Sequence, residues 1–248
     1  MSERHHRLAA ALPQPALPRV ADLGCGGGLT LAALRERLGP EVELIGVERR
    51  EPELDPSLAG DPRLTTVVAD LNKPLPFEDG AIGAAVCHNT LEALLSVDAF
   101  LGEVARVLAP GGHFLLGHND LDTIVFSSSE LDLTRRLVHA FADSQQEWMD
   151  AADGTIGRKL PTIARRAPLE HVETMAWVVL DTDLAAGEPA DTAIRGITDA
   201  VRRDQHHDLA SQLESWADDL HVRASRGEFV FSVNDYAVLL RKPEPGSG

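Results

Sequence analysis

The chain is poor in the residues that build disulfide frameworks and membrane spans. Its 248 residues include only two cysteines, Cys25 and Cys87, whose spacing matches no zinc pattern and which cannot form a disulfide framework. No apolar run approaches the roughly 18 residues that a membrane span needs. The N-terminal stretch also lacks the apolar core of a secretory signal. We therefore expect a cytoplasmic protein with reduced, partly buried thiols and no bound metal.

Positive charge is also scarce. Lysine and arginine number 23 against 39 aspartate and glutamate residues, which gives a formal net charge of −16. This negative charge is spread along the chain and repels phosphate backbones and anionic lipids, so we expect neither nucleic acid nor membrane as a partner. The hydrophobic share of 44% is ordinary for a protein with a packed core. No pattern in the sequence indicates an oligomer.

The first half of the chain alternates short apolar runs with helical patterns. A short helix is predicted over residues 2–12, before a proline-rich lead-in. Strands are predicted over 20–23, 42–47, 64–69, 81–86 and 113–117, and helices over 29–38 and 97–108. This rhythm is typical of right-handed βαβ units in a parallel sheet. It predicts an α/β fold with a doubly wound, seven-stranded and mostly parallel sheet.

The second half departs from this rhythm. Helical segments are predicted over 121–153, 160–167 and 190–222, with strands over 172–180 and 228–240. The last strand is predicted to be antiparallel. We expect one domain over 1–248 with a cofactor-binding core at 19–118. The segments 121–153 and 190–222 are interpreted as helical inserts over a substrate site, and residues 243–248 as a disordered tail.

A glycine-rich turn closes the first predicted strand and opens a helix. It contains Gly24, Gly26 and Gly28, preceded by Asp22, and Glu48 follows 20 residues later at the end of the second strand. This context predicts a nucleoside-containing ligand whose ribose hydroxyls bind Glu48. A dinucleotide fingerprint would need a third small residue where Leu29 stands. The charge of Asp22 opposes a pyrophosphate but suits a ligand with ammonium and sulfonium groups.

Several motifs between Arg19 and Gly117 together resemble the class I S-adenosylmethionine-dependent methyltransferases, in particular the UbiE-like (type 11) small-molecule group. The glycine turn resembles the first motif of that family, the segment 46–48 its acidic motif, and the segment 103–112 its downstream signature. The resemblance implies S-adenosylmethionine as the cofactor. It further implies cofactor contacts by a set of residues spread over four strand ends: Asp22, Gly24, Gly26, Gly28, Glu48, Arg49, Asp70, Leu71, His88 and Asn89.

Candidate acid–base residues follow the fifth predicted strand, on the edge of the sheet that holds the cofactor. His118 is the favoured general base, with Asp120 or Asp122 as its orienting residue or as an alternative base. Asp120 could instead cap the helical insert. Trp148, within that insert, is a possible substrate contact, whereas His5 and His6 are interpreted as surface residues.

These patterns predict methyl transfer to an oxygen, nitrogen or carbon atom of a small molecule. A non-catalytic cofactor-binding protein with a regulatory or assembly role is the alternative, because the same fold can serve either purpose. A protein or nucleic acid methyltransferase is disfavoured, because the sequence has no basic groove. It also lacks the Asn-Pro-Pro-Tyr tetrapeptide that often follows strand four in enzymes that methylate the amino groups of bases.

Overall fold

A computed structural model describes residues 3–145, 149 and 153–246. A single seven-stranded sheet has the strand order β3-β2-β1-β4-β5-β7-β6. The first five strands run parallel, and β7 lies antiparallel between β5 and β6, which confirms the predicted fold class. The strands are β1 Arg19–Leu23, β2 Glu43–Glu48, β3 Leu64–Val68, β4 Ile82–His88, β5 Leu108–Phe126, β6 Glu170–Asp181 and β7 Phe231–Arg241.

Helices cover both faces of the sheet. They are α1 Glu3–Ala11, α2 Leu29–Arg37, α3 Val97–Val107, α4 Leu131–Ala142, α5 Ile156–Ala164, α6 Pro189–Arg203, α7 His207–Ala210 and α8 Leu213–Ser225. Short 3₁₀ helices occur at Pro56–Leu58 and Leu91–Ala93. Within the described residues, we find no helix of the length and apolarity that a membrane crossing requires.

Strand β4 shows how the sheet separates two hydrophobic layers. Ala84 and Val86 pack in the layer that contains α1 and α2, whereas Ala85 and Cys87 pack in the layer that contains α3 and α5. All four side chains are buried. A strand with both faces covered is apolar at successive positions, which explains why the segment is a continuous apolar run in the sequence.

The structure corrects the prediction for residues 121–153. β5 continues past residue 120 to Phe126, where it pairs with Phe231 of β7 after a register shift. Ile124 and Phe126 are buried while Val125 is exposed, which is the two-residue period of a strand. Helix is confined to α4 among the described residues of this segment, and Trp148 lies outside them.

A third apolar cluster lies beyond the cofactor edge of the sheet. The ends of β5 and β7 carry Phe126 and Phe231 into contact with helices α4, α6 and α8, and Trp216 is fully buried there. The helical character predicted for 190–222 is confirmed, with breaks between α6, α7 and α8. This helical layer packs on the carboxyl end of β5 and the first residues of β7, which extend beyond the end of β4.

Candidate functional site

The glycine turn after β1 is held against the end of β2. The amides of Gly24 and Cys25 both donate to the carbonyl oxygen of Val47, at 2.8 and 3.0 Å. Gly24 has φ +81°, and a Cβ atom there would stand 2.4 Å from the hydroxyl oxygen of Thr90. The turn therefore approaches the loop after β4 so closely that the position requires glycine.

Glu48, at the end of β2, reaches back over the same turn. One carboxylate oxygen accepts from the amide of Gly26 at 3.0 Å, and the other accepts from the amide of Arg49 at 2.7 Å. Each carboxylate oxygen has a second lone pair. The side chain is thus fixed in position while it still has capacity to accept further hydrogen bonds from a ligand.

A cleft of about 500 Å³ opens over this edge of the sheet. A small adjoining cavity of about 40 Å³ lies towards Ala69, Leu71 and Leu94. The cleft combines the glycine turn, the end of β2 and the loop after β4, and its lining residues are Gly24, Gly26, Glu48, Arg49, Arg50, Asn89, Thr90 and Ala93. Six of the predicted cofactor residues therefore meet around one space: Gly24, Gly26, Glu48, Arg49, Leu71 and Asn89.

Asp22 provides a buried acid beneath the glycine turn. The residue is 2% exposed, and its Oδ2 atom has no hydrogen-bond partner among the described residues. Burial, together with the charge of Glu48, raises the pKa of Asp22 to about 7. A buried carboxylate oxygen without a partner is costly, and a ligand ammonium group or its water would supply the missing donor. The site therefore fits an amino-acid-containing cofactor.

Four predicted cofactor residues lie outside the lining of the cleft and its adjoining cavity: Asp22, described above, and Gly28, Asp70 and His88. Gly28, with φ +76°, packs against Leu54 and Leu58. Asp70 accepts from the amide of Asn72 at 3.0 Å, and this bond lowers the pKa of Asp70. The side chain of His88 is buried on the α1 side of the sheet, where its ring stands edge-on to that of His5. Cofactor contact by these residues stays a prediction.

His118 forms a buried ion pair. Its Nε2 atom lies 2.5 Å from a carboxylate oxygen of Glu92, and its Nδ1 atom lies 2.7 Å from the carbonyl oxygen of Asn119. Burial opposes the charged imidazolium, but Glu92 outweighs it and the pKa of His118 is raised. Because both ring nitrogens face acceptors, both act as donors in the charged form. The geometry favours a positioning role, and general-base action stays a prediction.

The two aspartates that follow are bound by one arginine. Asp120 is fully buried and accepts from Nε and Nη2 of Arg158, the latter at 2.7 Å. Asp122 accepts from Nη2 of Arg158 at 3.1 Å and lies 3.4 Å from Nε2 of His139. Arg158 belongs to α5, so these carboxylates hold a helix against the end of β5. A base role for either residue stays a prediction.

Sequence reasoning missed several residues at this edge. Thr90 and Ala93 line the cleft, and their place directly after His88 and Asn89 was the available signal. Glu92 was detectable as an acid within an otherwise apolar stretch, Leu91 to Leu94. No local pattern identifies Arg158, since its partner stands 38 positions away.

The N-terminal helix also contributes to this region. Arg4 donates to Asp235 of β7 at 2.7 Å, and Nδ1 of His5 lies 3.0 Å from the hydroxyl oxygen of Thr30. His5 is partly buried, so its prediction as a surface residue is wrong, whereas His6 is exposed as predicted. His5 is partly buried because the apolar side of α1, which includes Leu8, packs over the sheet and turns His5 inward.

The sheet order, the glycine turn and the acidic end of β2 together define a class I methyltransferase fold. The model of a methyltransferase-domain family, type 11, matches residues 21–116. Residues 21–116 therefore match a methyltransferase domain of that family, and the described chain has the class I methyltransferase fold. The family match supports S-adenosylmethionine as the cofactor.

Known proteins resemble the chain over different lengths. It is 28% identical over 220 residues to an uncharacterized 37.1 kDa protein in transposon TN4556 of Streptomyces fradiae. That match covers 88% of this chain and 61% of the relative. A sterol 4-C-methyltransferase of Caenorhabditis elegans is 29% identical over 109 residues, which are 41% of this chain and 32% of that protein. The chain thus spans less than two thirds of these curated relatives.

Solved structures share the fold at low identity. The YcgJ protein of Bacillus subtilis has a TM-score of 0.62 at 19% identity, and the match covers 98% of this chain and 99% of that one. The geranyl diphosphate C-methyltransferase of Streptomyces coelicolor A3(2) has a TM-score of 0.51 at 13% identity. That match covers 97% of this chain and 77% of the other. Identities of this size establish the fold alone.

Proposed function

We propose that the chain transfers the methyl group of S-adenosylmethionine to an oxygen, nitrogen or carbon atom of a small-molecule acceptor. The observation that carries the proposal is the cleft lined by the glycine turn and Glu48, with the buried acid Asp22 beneath that turn. We assign the amino acid of an adenosyl amino acid to the Asp22 side of the turn and its ribose to Glu48. When bound, the cofactor supplies an electrophilic methyl group on a sulfonium centre.

The residues of the chain have distinct tasks in this proposal. Asp22 faces the cofactor ammonium group, and Glu48 accepts hydrogen bonds from the ribose hydroxyls. The turn at Gly24 and Gly26 allows the ligand to approach the backbone. Leu71, in the small adjoining cavity, contacts the adenine end. Because alignment of the reacting groups supplies much of the acceleration, these binding contacts are the main catalytic contribution that we assign to the core.

A small acceptor is favoured over a macromolecule for two reasons. The net charge of −16 opposes docking of nucleic acid. The helical layer of α4, α6 and α8 lies close to the edge of the sheet that carries the cleft, and such added segments usually determine which substrate enters. The sterol and geranyl diphosphate methyltransferases named above act on small molecules, which agrees with this proposal.

The cofactor assignment is tested by isothermal titration with S-adenosylhomocysteine. We expect Glu48→Ala to weaken binding by about ten- to hundredfold, since a charge-assisted hydrogen bond contributes about 1.5–3 kcal/mol. Glu51→Ala is the matched control, because Glu51 is exposed and lies outside the cleft lining. Equal affinity of the wild-type protein and Glu48→Ala would contradict the ribose assignment.

The acceptor class is tested with cofactor that carries a radiolabelled methyl group. The protein is incubated separately with a low-mass metabolite fraction, a protein fraction and a nucleic acid fraction of one bacterial extract. Label in the low-mass fraction alone is the expected result. Label in either macromolecular fraction would contradict the small-molecule proposal. Tight cofactor binding without transfer to any fraction would favour the non-catalytic alternative.

A further inference from the structure

A second cavity of about 230 Å³ lies beside the cofactor cleft, between α1 and the helices α4 and α6. One hydrogen bond links the lining of this cavity to the lining of the cleft. The amide of Asn119, which lines the second cavity, donates to the side-chain oxygen of Asn89, which lines the cleft, at 2.9 Å. A molecule in the second cavity would therefore lie next to the site of a bound cofactor.

We propose that this cavity is the methyl-acceptor site and that it takes a compact, mainly apolar molecule bearing one neutral hydroxyl or similar hydrogen-bonding group. The inference rests on the proposed function and deepens it. It names the substrate class from the walls of the cavity, which belong mostly to α1, to helices α4 and α6 and to the paired strands β5 and β7.

The apolar character comes from the far walls. Ile124 and Phe141 face the cavity from β5 and α4, and Phe231 and Val233 face it from β7. At the packing density of protein interiors, a space of this volume holds about 170 Å³ of ligand atoms. This is the size of a two-ring aromatic or a ten-carbon alicyclic molecule. A longer chain or a nucleotide would extend out of it into solvent.

The polar end is formed by three residues near the cofactor edge. Arg4, His5 and Asn119 all line the cavity. The charge of Arg4 is balanced by its ion pair with Asp235, a fully buried residue. Burial, with the neighbouring Arg4, lowers the pKa of His5 to about 4, so the imidazole is neutral near pH 7. Because this end has no net charge, it suits a neutral group better than a carboxylate.

His5 is the residue that we expect to orient the acceptor. Its Nδ1 atom pairs with the hydroxyl of Thr30, while no partner of its Nε2 atom is found among the residues that the structure describes. The pairing with Thr30 holds the ring in place at the first turn of α2, which directly follows the glycine turn. A rigid hydrogen-bonding group between cofactor and acceptor is suited to alignment of the two.

The experiment uses 2-naphthol as a neutral probe and 2-naphthoate as its anionic counterpart. Each is titrated calorimetrically into the full chain saturated with S-adenosylhomocysteine. We expect one 2-naphthol molecule to bind per chain and 2-naphthoate to bind at least tenfold more weakly. Tighter binding of the anion would overturn the neutral-group part of the inference.

Thr192→Phe provides the variant that fills the cavity. Thr192 lines the cavity from α6 but is exposed, so an added ring enters the space without displacing a buried side chain. We expect at least a tenfold loss of 2-naphthol affinity with unchanged S-adenosylhomocysteine affinity. Asp199→Phe is the matched control on the same helix, since Asp199 is exposed and outside the lining. Equal 2-naphthol affinity of Thr192→Phe and wild type would overturn the acceptor site.

Two further readouts separate the possible failures. Absence of S-adenosylhomocysteine binding would overturn the proposed function, whereas its binding without any 2-naphthol binding would overturn the acceptor-site inference alone. If Thr192→Phe fails to fold by circular dichroism, a crystal structure of the wild-type ternary complex decides the question. Electron density for the 2-naphthol rings against Phe141 supports the inference, and 2-naphthol density elsewhere overturns it.

Discussion

Asp22→Asn is the substitution that most directly probes the buried acid under the glycine turn. Asparagine has nearly the same shape but cannot ionise. In the wild-type protein, burial and Glu48 raise the pKa of Asp22 from 3.8 to about 7. The folded state therefore keeps a proton on this group at pH values where the unfolded chain has lost it. Between these two pKa values, stability falls as pH rises, because the folded state binds more protons.

The size of the effect follows from the two pKa values. Each pH unit between them changes the free energy of unfolding by about 1.36 kcal/mol. Raising the pH from 5 to 7 should therefore cost the wild-type protein about 3 kcal/mol through Asp22 alone, as an upper estimate. Above about pH 8, where Asp22 is ionised in both states, the contribution becomes constant. Asp22→Asn lacks this contribution, so its stability relative to wild type should rise over the same interval.

Urea unfolding at a series of pH values measures this difference, because the pH dependence of all other groups cancels between the two proteins. S-adenosylhomocysteine affinity provides a second readout. It should fall in the wild-type protein as Asp22 becomes protonated below pH 7, since the neutral acid no longer attracts the ligand ammonium group. In Asp22→Asn it should be low and nearly independent of pH. A constant stability difference between pH 5 and 8 would refute the assignment of a raised pKa to Asp22.

Three other substitutions test neighbouring features. Gly24→Ala should lower the affinity for S-adenosylhomocysteine, measured by calorimetry, at least tenfold, because the new side chain would meet a φ of +81° and overlap with Thr90. Gly60→Ala is the control, since Gly60 has a φ of +72° but lies in open space, and it should leave the affinity unchanged. Arg158→Met should lower the free energy of urea unfolding by about 1–3 kcal/mol, since it leaves the buried Asp120 unpaired, and Asp120→Asn in the same protein should recover most of the loss. Glu92→Gln should destabilise the protein below pH 6.5, as measured by thermal unfolding. The stability difference between wild type and variant should shrink as pH rises through the raised pKa of His118, and a stability difference that grows with pH would contradict the ion pair.

The cleft at the glycine turn was predictable because its determinants are local in sequence. The turn at Gly24 and Gly26 needs glycine for its torsions and its close contact with Thr90, so the requirement is visible as a motif. Glu48 stands at the end of an apolar strand, and parallel strands bring their carboxyl ends to one edge. The parallel direction of the first five strands followed from the same alternation of strand and helix. These features depend on short segments and on a fold whose connections are strongly restricted.

The acceptor half was not predictable in the same way. The extension of β5 to Phe126 depends on pairing with β7, more than 100 residues later in the chain, and no local pattern records that partner. For the same reason, the segment around Ile124 was interpreted as helix although its side chains alternate as in a strand. The inward position of His5 depends on how α1 packs over the sheet. Contacts between distant segments determine these residues, so single-sequence patterns do not show them.

The ionisable residues His118, Asp120 and Asp122 are the sequence candidates for acid–base chemistry, yet they lie within β5 and the described structure engages each of them in an ion pair. His118 pairs with Glu92, and Asp120 and Asp122 pair with Arg158. A buried pair is expensive to form and more expensive to break, so these charges hold the end of β5 and helix α5 in fixed positions beside the two cavities. Methyl transfer from a sulfonium needs a base only when the acceptor atom carries a proton that must leave. A site that fixes cofactor and acceptor in a rigid frame is suited to catalysis by alignment, and the neutral His5 is then the side chain best placed to receive a hydrogen bond from the acceptor.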